Sequence, residues 1–151
     1  MHIQSTHYIL IAGSRYATRE MLAYARRAVR RAHAKGFVII VGDHPKGVDM
    51  AVVQECRHLK ARVIVAGIAN FPRNYGCRHG SYVKVTCDLY RGMSGALLDG
   101  YTVRDRWMVD QAHTCLFIWN GDSLGTKLSY DYALQRGKTA HLVNFDRRPQ
   151  L

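Results

Sequence analysis

Tyr8-Ile9-Leu10-Ile11-Ala12-Gly13-Ser14-Arg15 is a short apolar run that closes on a glycine turn, and the arrangement occurs twice more along the chain. Phe37–Val41 runs into the turn Gly42 through Asp49, and Cys115–Trp119 into Gly121 through Thr126. Each run is too short for a helix and is followed by helical periodicity, so each reads as a buried strand, a turn and a helix. Such units gather backbone N–H groups and a helix N-terminus around a concave site suited to phosphate.

Outward from these units, Thr18 is placed to cap a helix running to about Lys35, which Gly36 ends. A second helix from about Val48 to Lys60 buries Val48, Ala51, Val52, Cys56 and Leu59, and Arg62–Ala66 supplies the next strand. A helix near Thr102, with that residue as N-cap, carries Val103, Trp107 and Met108 inward. After Cys115–Trp119 come a helix from about Gly125 to Gln135, a Gly137 stop and a Thr139–Phe145 strand. Between about Gly67 and Tyr101 the alternation fails, where Gly76, Gly80, Gly92, Gly95 and Gly100 interrupt it. Residues from about 68 to 101 therefore read as an insertion, with Tyr82–Thr86 as a short strand or half of a hairpin. The whole predicts one α/β domain over 1–151: a Rossmann-like, mostly parallel sheet with helices on both faces and ligands at the carboxyl ends of its strands.

The chain is 48% hydrophobic and 22% charged, a balance that fits one packed globule and excludes a disordered polymer. No apolar run approaches the roughly 18 residues that span a bilayer. A soluble cytoplasmic protein without a membrane partner is expected, and Cys56, Cys77, Cys87 and Cys115 form no disulfide framework. A net charge of +11 directs attention to anionic partners, nucleotides or nucleic acid. Much of it sits on one helix face, Arg26, Arg27, Arg30 and Arg31, which is either solvated or a nucleic-acid or subunit contact. Cys77, His79 and Cys87 are too loosely spaced to read as a zinc site, and neither metal nor cofactor is expected.

In the first turn Gly13 permits a tight backbone, Ser14 offers a hydroxyl and Arg15 a planar five-donor fork. In the second, Lys46 is a candidate phosphate contact and Gly47 opens the helix, while Asp49 either binds a ribose hydroxyl or caps that helix. The third offers Asn120, Gly121 and Ser123, then Gly125 and Thr126 at the following helix start. Arg104 and Arg106 flank Asp105, and two positions apart they point to different helix faces, so no more than one reaches the site. No Walker A loop, strict GxGxxG, Ser-His-Asp ordering or nucleophile elbow is present.

Taken in order, Ile11 through Arg15, Gly47-Val48-Asp49, Arg104 through Asp110, Asn120-Gly121, Gly125-Thr126, Tyr132-Ala133 and Gly137-Lys138 resemble the SLOG superfamily, the Rossmann-like group of the DprA and LOG proteins. The resemblance covers residues 8–67 and 102–145 and implies a nucleotide-related ligand across the first and fourth strand ends, with subunits that pair into a homo-oligomer. LOG-type hydrolases carry a catalytic glutamate three residues after the Gly-Thr pair, where this chain has Ser129. The expected function is accordingly binding, by sensing or sequestering, of a nucleotide-derived phosphorylated ligand such as a cyclic nucleotide or an ADP-ribose-like signal. An N-glycosidic hydrolase or transferase using Asp43, Asp49, Asp105 or Asp122, and single-stranded DNA binding, are the alternatives.

Overall fold

Strand β1 (Tyr8–Gly13) lies inside a six-stranded sheet of order β4-β3-β2-β1-β5-β6, in a computed structural model that describes residues 5–86 and 99–148. Its neighbours are β2 (Val38–Gly42) and β5 (Thr114–Trp119), with β3 (Val63–Gly67) and β4 (Ser81–Lys84) beyond β2 and β6 (Thr139–Asn144) beyond β5. Every pairing is parallel. The chain runs outward from β1 to β4 and then restarts at β5 on the other side, so the strand order reverses between β1 and β5. Such a switch point opens a crevice at the carboxyl ends of those strands.

Alternate strand residues serve two cores. Ile11, Ile39 and Val41 face Met21, Ala25 and Val29 of α1 (Arg19–Ala34) and Val48, Val52 and Cys56 of α2 (Gly47–Leu59). Leu10, Ile40, Cys115 and Phe117 face Val103, Met108 and Val109 of α3 (Gly100–Gln111) and Ala133 of α4 (Leu124–Gln135). Burial on both faces explains why β2 reads as an unbroken apolar run. Thr18 caps α1 through Met21 N at 3.2 Å, and Gly36 leaves it at φ +72°. On the outer face of α1, Arg26 and Arg30 reach Gln54 and Glu55 of α2, while Arg31 is exposed.

Two readings change. Asp99, not Thr102, caps α3, accepting from the amides of Tyr101 and Thr102 at 3.0 Å, because the helix starts at Gly100, which by sequence read as a breaker. Trp107 is only partly buried beside the second core. Around Tyr82 the short-strand alternative holds: Ser81–Lys84 extends the sheet as a parallel edge strand on β3. Cys87, Gly92 and Gly95 lie outside the described residues. No helix among the described residues is long and apolar enough to cross a membrane, and no group of His, Cys, Asp or Glu among them is placed to hold a metal.

Candidate functional site

The loops after β1, β2 and β5 are sewn to one another at the sheet edge. Ser14 is buried, its amide donating to Ile118 O at 3.0 Å, while its hydroxyl accepts from Asn120 N at 3.0 Å and lies 2.7 Å from the Ser123 hydroxyl. A side chain at Gly13 would collide with Ile118 O, so only glycine lets β1 and β5 approach this closely. Asn120 shapes its own turn, its side-chain oxygen accepting from Asp122 N and Ser123 N and its amide nitrogen donating to Tyr16 O. The second loop joins through Val48 N, which donates to Ser14 O at 3.1 Å, with Gly47 at φ +70° against the backbone of Ser14 and Arg15. That contact engages one of the first-turn amides of α2.

Over this edge lies a cavity of about 680 Å³, bounded by the strand ends, α3 and α4. Gly13, Arg15, Asp49 and Arg104 line it, and so do Asn120, Ser123, Gly125 and Thr126. The other sequence candidates stand outside. Ser14 is the pin just described. Lys46 and Gly47 do not line the cavity, the Lys46 amide donating instead to His44 Nδ1 at 3.1 Å. Gly121, at φ +90°, packs against Asp146. Arg106 faces a smaller neighbouring chamber.

Most of the positive charge in the cavity is already engaged. Arg104, buried, donates to Asp43 at 2.9 Å and to Asp105 at 2.8 and 3.1 Å. Arg73 closes the cluster from the other side, binding Asp43 through its backbone amide at 3.0 Å and its guanidinium at 2.9 and 3.1 Å. Its loop is held by Asn74, which donates to Gly42 O and His44 O, and by Arg57, which donates to Asn74 O and Gly76 O at 2.7 Å. Tyr101 lies over both guanidinium groups, at 4.3 Å from Arg73 and 5.2 Å from Arg104. Arg15, by contrast, is exposed and has no acidic partner among the described residues. Beside it begins α4, whose N-cap Ser123 makes no side-chain bond to the helix amides because its hydroxyl is turned to Ser14 and Thr126.

No protein-family model matches the chain, and no curated protein matches it by sequence. Solved structures do match. The molybdenum cofactor binding protein of the phototrophic bacterium Rippkaea orientalis aligns with a TM-score of 0.74 at 17% identity, over 95% of this chain and 80% of that one. The molybdenum cofactor carrier protein of Chlamydomonas reinhardtii gives 0.67 at 14% identity, over 91% and 76%. DNA processing protein A of Helicobacter pylori gives 0.62 at 17%, over 96% and 66%. The chain shares the Rossmann-like fold of these structures.

Within this fold, Ser129 lines the cavity, while Asp131 is turned away to Lys127 at 2.6 Å. Burial pushes the Asp105 carboxyl up, outweighing the pull of Arg104. Asp49 does not cap α2. It sits in the helix's first turn, accepts from His44 N at 3.2 Å, and is buried beside Arg104. Burial raises its carboxyl to about 6 against the attraction of Arg104 and the His44 amide, with Asp105 and Asp43 adding repulsion. Asp43 goes the other way: burial pushes it up, but the hydrogen bonds and charge of Arg73, with the charge of Arg104, hold it below the usual carboxylate range.

The Asp49 shift has a measurable consequence. The folded-state value lies above the unfolded one, so the ionised carboxylate opposes folding fully above pH 6, and the opposition fades as pH falls toward about 4. Asp49→Asn, which keeps an acceptor for His44 N, is expected to raise the melting temperature at pH 7.5 by more than at pH 4.5. Thermal unfolding at the two pH values checks this, and a destabilised variant at pH 7.5 would contradict it.

Proposed function

We propose that the cavity binds a nucleotide-derived, phosphorylated small molecule, a cyclic nucleotide or an ADP-ribose-like compound, which the protein senses or sequesters. One observation carries the reading: two uncommitted anion-binding elements, Arg15 and the first turn of α4, meet in the same cavity while the other lining arginines are neutralised by aspartates. Elsewhere the lining is acidic. Asp49 and Asp105 offer acceptors to the hydroxyls of a ribose or the amino group of a base. A volume of about 680 Å³ suits a ligand of this size. Two of the structural neighbours are named for the molybdenum cofactor and one for single-stranded DNA binding, which supports an anionic ligand in the broad sense. A DNA strand fits this cavity less well, because Asp49, Asp105 and Asp122 line it and repel successive phosphates.

Titration calorimetry with AMP, cyclic AMP and ADP-ribose tests the reading. At least one is expected to bind, and Arg15→Ala is expected to weaken it about tenfold or more, the size of a lost charge-assisted phosphate contact. No heat with any of the three at low salt would overturn it. Free base in the titrated samples, absent with Asp105→Asn, would instead favour N-glycosidic hydrolysis, the reading that the Asp105 carboxyl in the cavity lining favours second.

A further inference from the structure

The space above the sheet edge continues between α3 and α4. A chamber of about 200 Å³ opens there, and Thr102, Asp105, Gly125 and Ser129 line both it and the main cavity. A Cβ added at Gly125 would meet nothing within 4 Å, so the space beside this shared lining residue is open. Within the chamber the Arg106 guanidinium lies 4.9 Å from the centre of the Tyr132 ring. The Tyr132 hydroxyl is fixed by Asp110 at 2.8 Å, which sets the plane of that ring.

Arg106 is partly buried and has no carboxylate partner among the described residues. Its chain neighbour Asp105 is spent on Arg104, and Asp110 on Tyr132 and Arg136. A guanidinium held against an aromatic face with its donor fork unused has the geometry that recognises a phosphate or carboxylate. The arrangement contrasts with Arg104, two residues earlier on α3, where the guanidinium is met by Asp43 and Asp105.

We propose that the α3–α4 chamber is a second anion subsite, so that the ligand is elongated and carries two separated anionic groups, one in the main cavity on the Arg15 side and one on Arg106. This rests on the phosphate-ligand reading of the main cavity and narrows the class of nucleotide-derived ligands to a bisphosphate or linear dinucleotide. The two chambers divide the labour: the main cavity holds the first phosphate and its sugar, and the chamber rewards only a molecule long enough to pass Gly125.

The test compares AMP with two probes of different phosphate separation, adenosine 3′,5′-bisphosphate and the linear dinucleotide pApA, on the full chain by calorimetry. At least one of the two is expected to bind about tenfold tighter than AMP, and Arg106→Gln is expected to remove that advantage while leaving AMP affinity unchanged. Equal affinities for all three, or an Arg106→Gln variant that weakens AMP as much as the longer probes, would reject the second subsite. AMP binding that still depends on Arg15 would show that the main-cavity reading survives such a rejection. Failure of all three probes to bind the wild-type chain would reject the second subsite, and the main-cavity reading would then rest on cyclic AMP and ADP-ribose alone.

Discussion

Replacing Gly47 with alanine is expected to lower the stability of the fold by about 3 kcal/mol, at the upper end of ordinary single substitutions. Two effects add. At φ +70° a side chain is strained whatever surrounds it, by about 1 kcal/mol. The new methyl group would also collide with the carbonyl oxygens of Ser14 and Arg15, and backbone cannot swing aside as a side chain can. Relief would pull α2 away from the β1 loop and break the 3.1 Å bond from Val48 N to Ser14 O. Gly36 supplies the control, because it has φ +72° but nothing within 4 Å of an added Cβ, so Gly36→Ala carries the conformational penalty alone. Urea unfolding of the two variants measures the difference. Equal midpoints would mean that the two loops are not locked together through Gly47.

The contrast between these glycines marks what a sequence discloses. Gly36 was legible as a helix stop because its role is local, and Gly13 and Gly47 were legible as turn residues for the same reason. Their actual work, letting one backbone lie on another, depends on segments over 30 residues apart in the case of Gly47, which no local pattern encodes. The three strand–turn–helix units and the sheet they form followed from burial periodicity, since β1, β2 and β5 carry enough apolar residues to declare themselves. Strand β4 has only four residues, none fully buried, so its period of two left the partner and direction open. The cavity was legible where turn chemistry built it and illegible where ion pairs did. Lys46 and Gly121 looked like phosphate contacts by composition, yet neither lines the cavity. Arg73 and Tyr101 line it from a stretch without periodicity, and their relation to Asp43 and Arg104 exists only once β2 and α3 are packed. Arg104 and Arg106 were indistinguishable as residue types. The aspartates around Arg104 separate them.

Asp43→Ala is expected to have the larger effect of the charge substitutions, a loss of about 3–5 kcal/mol, because it strips the buried Arg104 and the partly buried Arg73 of their shared partner. The Asp43 carboxylate is 1% exposed and accepts from the Arg73 amide, the Arg73 guanidinium and the Arg104 guanidinium. Arg104, itself buried, would keep Asp105 but lose its link to the β2–α2 loop, and Arg73 would lose both of its anchors there. Asp43→Asn, which preserves size and one acceptor, is expected to recover part of the loss. The pH dependence separates this charge effect from a simple packing defect. The folded-state carboxyl is held below its unfolded value, so its stabilisation is complete above about pH 4 and disappears as pH falls through the lower, folded-state value. The gap in unfolding free energy between wild type and Asp43→Asn should therefore stay level from pH 8 to pH 5 and narrow in stronger acid, opposite in sign to the Asp49→Asn gain. A gap that is constant into strong acid would mean that shape, not charge, makes Asp43 necessary, and that Arg73 and Arg104 are held in the cavity wall by their other contacts.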